Sequence, residues 1–168
     1  FGYVHSPNRF TSPMRRTGHG VSNIDWSVAL DDIVQKFSAA DRPAAILSPM
    51  MTIEEAELAA RWIRSFDPSA PLVLGPILRE GEDQAFPSKN GTFTIRAEKC
   101  PNRRGVEKVL KKWCGRVVSF DEFLGELPTN EVDALWFAAG YPHDWITPVQ
   151  ATRLATLETL IVHDLFPS

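Results

Sequence analysis

Cysteine is scarce in this chain of 168 residues, with only Cys100 and Cys114 present. Two are too few for a disulfide framework or for a cysteine-ligated cluster, and a reducing compartment is the simpler reading. Long hydrophobic runs are also missing. None approaches the roughly 20 residues of a membrane span, and the N-terminus lacks the basic and apolar regions of a signal peptide. A soluble fold with no direct membrane insertion is expected. Nor is there an excess of charge: 18 basic and 21 acidic residues give a net charge of -3. That balance supplies no global attraction to nucleic acid or an anionic membrane, so no nucleic-acid partner is expected. Walker loops, zinc-ligand spacings and nucleophile elbows are absent. Gly18-His19-Gly20 comes nearest to a phosphate loop, but it lacks a preceding strand and a third glycine. The residues assign no catalytic group and no metal ligand.

What is present is a chain that is 43% hydrophobic, long enough for one domain with a sizeable core. Residues 1–24 carry Pro7, Pro13, Gly18 and Gly20 among polar and basic residues without a sustained period, and read as an extended arm. Arg9, Arg15 and Arg16 on that arm are a solvated basic cluster or an anion contact. Residues 25–168 then alternate helices and apolar strands. Asp25 is placed to cap a helix over 26–39, whose Trp26, Ala29, Leu30, Ile33, Val34 and Phe37 recur at helical spacing. Ala44 to Leu47 suits a buried strand. Thr52-Ile53-Glu54-Glu55 is a capping box opening a helix to about Phe66, followed by a strand at Pro71 to Leu74.

The segment 76–102 is irregular, with only Thr92 to Arg96 alternating like a strand, and a loop of that length in a compact domain is usually functional or packs against something else. Asn102 is expected to cap a helix from Arg103 to about Trp113, with Val117-Val118 a short strand beyond it. Ser119 to Glu122 forms a second capping box for a brief helix to Leu127. Thr147-Pro148-Val149-Gln150 opens a helix to about Glu158, and Thr159 to Val162 is the last strand. This alternation predicts an α/β fold: three αβα layers around a mainly parallel, Rossmann-like sheet with an extended N-terminal arm.

The stretch Val132 to Trp145 is an apolar run that breaks into Gly140-Tyr141-Pro142-His143-Asp144. A buried strand delivering such a loop at its carboxyl end marks the crevice where open α/β sheets bind ligands. Gly140, Tyr141, Pro142, His143 and Asp144 are therefore the expected cofactor-binding residues. His143-Asp144 is the best acid/base pair on offer, without a nucleophile beside it. Asp164, ending the last strand, joins the set as an acceptor for a ribose or base edge; the alternative is a capping or salt-bridging carboxylate. Cys100 and Cys114 read as ordinary thiols.

Phe1-Gly2-Tyr3 and Ser6 to Arg15 resemble a segment of the molybdopterin oxidoreductase superfamily, where Phe-Gly-Tyr directly follows the last cysteine of a 4Fe-4S site. Ile24 to Leu30 looks like the family's Asp-Trp-x-x-Ala-Leu helix start. Leu47 to Glu55 is similar to the strand and helix start of its second domain, and Pro101 to Gly105 resembles its Pro-Asn-x-x-Gly turn. Trp136 to Pro142 stands where relatives have a strand ending in Gly-x-Asn-Pro, and Leu160 to Phe166 looks like a strand with an Asp-x-Phe turn.

By these patterns the chain is most similar to the large iron-sulfur subunit of NADH-quinone oxidoreductase and to NAD-linked formate dehydrogenases. Both ends fall at family landmarks, which implies a piece of a longer protein. The resemblance implies a domain that supports electron transfer from NADH through iron-sulfur clusters toward quinone, with no cofactor in this piece and a 4Fe-4S cluster in the parent. It also implies partner subunits of a membrane-associated NADH-oxidising complex, and a cytoplasmic location peripheral to the inner membrane. Molybdopterin is the weaker expectation, because Gly140-Tyr141-Pro142 departs from Gly-x-Asn-Pro and no molybdenum ligand is in place. The alternatives are a piece of a molybdopterin-dependent formate dehydrogenase-type enzyme and a flavodoxin-like nucleotide-binding module.

Overall fold

A strand buried on both faces of a sheet needs apolar or small side chains at every position, and Pro43–Leu47 supplies them: all five residues are buried. It is the central strand of the computed structural model, which describes residues 5–167. In chain order the elements are β1 (Met14–Thr17), β2 (Gly20–Asn23), α1 (Trp26–Ala39), β3 (Pro43–Leu47), α2 (Ile53–Phe66), β4 (Leu72–Leu74), β5 (Gln84–Ser88) and β6 (Gly91–Ile95). There follow α3 (Arg103–Cys114), β7 (Val118–Ser119), α4 (Phe120–Glu126), β8 (Ala134–Ala138), α5 (Pro148–Leu154) and β9 (Thr159–His163).

The main sheet has five parallel strands in the order β7-β4-β3-β8-β9. Counted along the chain, its first strand, β3, lies in the middle, and winding reverses between β3 and β8. Side chains alternate across this sheet. Ala45 and Leu47 pack with α2, α3 and Phe37 of α1 on one face, whereas Ala44 and Ile46 pack with α4 and Leu154 of α5 on the other. The result is the expected three-layer αβα, Rossmann-like architecture. An aromatic group on the first face, Phe37, Trp62, Phe66 and Trp136, has ring centroids 5.1–5.9 Å apart in tilted and edge-on pairs. At the amino edge, the Asp133 carboxylate accepts from the amides of Asp41 (2.8 Å) and Arg42 (3.0 Å), fixing the entry into β3 beside β8.

All three capping boxes form: Thr52 with Glu55, Ser119 with Glu122, and Thr147 with Gln150. Several other expectations change. Asp25 gives α1 no side-chain cap. The helix meets the core along one line, Ala29, Ile33 and Phe37, while the adjacent stripe of Trp26, Leu30 and Val34 stands 61%, 55% and 50% exposed. Within the arm, β1 and β2 form an antiparallel hairpin, with Met14 opposite Asn23. Both strands are exposed throughout, so no alternation of apolar residues announces them. In 76–102 the alternation from Thr92 to Arg96 does mark β6, and the exposed β5, which no pattern announces, pairs with it as a second hairpin extended by an Arg79–Glu98 bridge. Pro87 inside β5 hides that strand further. α5 stops at Leu154 rather than near Glu158, because tight turns at Arg153 and Leu154 redirect the chain and the Thr159 amide then bonds to the Asp133 carbonyl at 2.9 Å. The Phe1-Gly2-Tyr3 portion of the resemblance lies outside the described residues.

Candidate functional site

Where winding reverses, the loops after two neighbouring parallel strands diverge and leave a crevice at the carboxyl edge. Here it lies beyond β3 and β8. Backbone bonds carry the ladder one residue past the strands: Gly75 N–H to Leu47 O (2.9 Å), Ser48 N–H to Ala138 O (3.0 Å) and Ala139 N–H to His163 O (2.9 Å). The rim is therefore Ser48, Gly75, Ala139-Gly140 and Asp164.

Tyr141 lies across this opening. Gly140 adopts φ 75°, the left-handed conformation that glycine accepts without a Cβ clash, and turns the chain back over the sheet. The Tyr141 side chain is 1% exposed, and its hydroxyl donates to Pro76 O beyond β4 at 2.9 Å. Gly75 leaves the space for it, since a Cβ there would meet the Tyr141 hydroxyl at 2.7 Å and Leu47 O at 3.2 Å. Ser48, fully buried, sets its hydroxyl near the Tyr141 phenol and accepts from Met50 N–H at 3.1 Å. Burial pushes the Tyr141 phenol well above its ordinary range, and the nearby Ser48 hydroxyl opposes this only in part. The phenol stays neutral and keeps its proton for Pro76.

Asp164 is engaged by the chain itself. Its Oδ1 accepts from Gly140 N–H (3.2 Å) and Leu165 N–H (2.7 Å), and its Oδ2 from the Trp145 indole Nε1 (2.6 Å). The Trp145 ring is 8% exposed, stacked on Tyr141 at 5.6 Å and tilted against Phe137 at 4.1 Å. Of the six residues expected to hold a cofactor, three are thus built into a plug: Gly140 as the turn, Tyr141 as the filling and Asp164 as the anchor. Pro142, His143 and Asp144 stand exposed outside it, and the side chains of His143 and Asp144 have no hydrogen-bonding partner among the described residues. The hydroxyls of Ser48 and Tyr141 bond to main chain, so the crevice holds no nucleophile–base pair among the described residues.

Compared with protein families, with curated proteins and with solved structures, the chain matches none. A pterin dinucleotide at the switch point would have to displace Tyr141 and break the Asp164 bonds, so the residues present do not fit that group as they stand. Cys100 is buried against Leu78 N–H (3.3 Å) and Cys114 faces Arg64 (3.1 Å); two separate thiols do not fit a 4Fe-4S cluster. Among the described residues no cluster of three or more His, Cys, Asp or Glu could hold a metal.

Ser48, Gly75, Pro76 and Trp145 are members of this assembly that the sequence did not single out as site residues. The available signal was weak: Gly75-Pro76 and Gly140-Tyr141 are both glycine-led exits from apolar strands.

The loop after β3 is also tied to α3. Asn102 does not cap that helix; its Nδ2 donates to Met51 O at 2.8 Å, and its backbone N–H to Pro49 O at 3.1 Å. Gly105 makes room for this, because a Cβ there would lie 2.3 Å from Asn102 Oδ1 and 2.7 Å from Nδ2. Gly105→Ala is expected to destabilise the fold by about 1–2 kcal/mol despite alanine's better helix propensity, since Asn102 must leave Met51. Asn102→Ala should cost about 1 kcal/mol, and the double variant less than the sum. Urea unfolding of the three variants checks this; strict additivity would rule out the clash.

Proposed function

We propose that this chain is the molybdopterin-oxidoreductase-like domain of a protein similar to the large iron-sulfur subunit of NADH-quinone oxidoreductase. Its role there is structural, supporting electron transfer from NADH through iron-sulfur clusters toward quinone, with other subunits of the complex as partners at the cytoplasmic side of the inner membrane. The sequence patterns described above support the family. The observation that carries the structural role is Tyr141: its ring fills the switch-point crevice and its hydroxyl is committed to Pro76 O. A domain that keeps the architecture of a dinucleotide fold while closing its crevice with its own core serves as scaffold rather than as a cofactor site.

The test is elemental analysis of the full-length parent protein expressed with iron, molybdate and tungstate supplied. The expected result is iron and acid-labile sulfide with neither molybdenum nor tungsten. Stoichiometric molybdenum or tungsten with a releasable pterin would overturn it in favour of a formate dehydrogenase-type enzyme. A protein with no iron, whose unfolding midpoint rises with a nucleotide, would favour a flavodoxin-like binding module instead.

A further inference from the structure

Away from the plugged crevice, an open groove of about 370 Å³ lies between the β5–β6 hairpin segment and the start of α3, lined by Arg79, Asp83, Arg96, Glu98, Cys100 and the run Pro101 to Arg104. Four guanidinium groups (Arg79, Arg96, Arg103, Arg104) face two carboxylates (Asp83, Glu98), an excess of two positive charges in a chain whose net charge is -3.

Glu107, just outside the lining, pairs with Arg103 and reduces that excess to one positive charge. Asp83 is shared: Oδ2 meets Arg96 at 3.0 Å, while Oδ1 accepts from Ala97 N–H at 2.8 Å and lies 3.7 Å from Arg79. Arg96 and Arg79 remain 66% and 61% exposed. Arg103 sits between Glu98 (2.9 Å) and Glu107 (3.0 Å). Arg104 is exposed and has no ion-pair partner among the described residues. Guanidinium groups gathered with too few carboxylates repel one another unless an anion joins them, and their planar forks match phosphate oxygens two at a time.

We propose that this groove binds a small phosphate-class polyanion, with Arg104 and Arg96 as its principal contacts. The size is that of a small-molecule site, and the overall negative charge of the chain disfavours an extended nucleic acid. This inference does not rest on the proposed function.

The test is calorimetric titration of the chain with pyrophosphate at constant ionic strength, with inorganic phosphate and ADP as further arms. Saturable pyrophosphate binding is expected, weakened about tenfold or more in Arg104→Gln, a change that breaks no side-chain hydrogen bond or ion pair among the described residues. Arg96→Gln should weaken it as well. Arg61→Gln, beside Glu57 and Lys112 at the far end of α3, should bind as the wild type does. ADP binding tighter than pyrophosphate would identify a nucleotide as the source of the phosphates, and weaker binding a non-nucleotide phosphate. Absence of saturable pyrophosphate binding, or an equal loss in Arg61→Gln, would overturn the proposal.

Discussion

Tyr141→Ala is expected to lower the unfolding free energy by about 3–5 kcal/mol, the range for truncating a large aromatic side chain in a core. For a domain of this size that corresponds to a fall in Tm of roughly 6–20 °C. The effect has three sources. The ring is 1% exposed and stacked on Trp145, so its removal opens a cavity beside Trp145. Pro76 O, which accepts the phenol at 2.9 Å, loses its donor. Ser48, fully buried, loses the polar neighbour beside its hydroxyl as well.

Tyr141→Phe separates these contributions, because it keeps the ring and deletes only the hydroxyl; about 1–2 kcal/mol is expected for it. Thermal and urea unfolding of both variants measures the difference. A Tyr141→Ala variant within a degree or two of the wild type would mean that the side chain does not close the crevice, and the structural role would lose its main support.

Asp164→Ala is the second large effect, at about 2–4 kcal/mol. The carboxylate accepts from Gly140 N–H, Leu165 N–H and the Trp145 indole, with the indole at 2.6 Å. Hydrogen bonds to a charged acceptor are stronger than neutral ones, and removing the acceptor leaves the buried indole N–H without a partner. Asp164→Asn should fall between, at about 1–2 kcal/mol, since an amide keeps one acceptor oxygen and turns a donor toward the other side. The indole N–H resonance of Trp145 reports the contact directly and should move upfield in Asp164→Ala. If Asp164→Ala were as stable as the wild type and the resonance unmoved, the carboxylate would not be an anchor and would be open to a ligand instead.

These two residues also show where reading along the chain stops. Gly140, Tyr141 and Asp164 all draw notice in the sequence as crevice residues, but their direction does not. Tyr141 meets Pro76, 65 positions earlier, and Asp164 meets Gly140, 24 positions earlier. A neutral phenol and a carboxylate at strand ends suit ligand binding and internal closure equally well until the distance between loops is fixed. Asn102 is a parallel case: locally it is a good helix cap, yet Met51, 51 positions away, offers its amide a better-placed acceptor.

What the sequence determined by itself is everything that local chemistry closes. The boxes at Thr52, Ser119 and Thr147 join a hydroxyl and a side chain three residues apart, so each helix start was legible without any partner. The inner strands β3, β4 and β8 were legible because burial on both faces demands consecutive apolar residues. The edge strands β7 and β9 are only partly buried and were legible as short apolar runs between helices. The hairpin β1–β2 and the strand β5 were not, because strands exposed on both faces carry no pattern of burial; of the second hairpin only β6 showed, as the alternation from Thr92 to Arg96. Only the tertiary structure decided which stripe of α1 is covered, and that the crevice between β3 and β8 is filled by Tyr141. Those outcomes depend on the volume left between elements distant in sequence, and that volume exists only once the sheet has assembled.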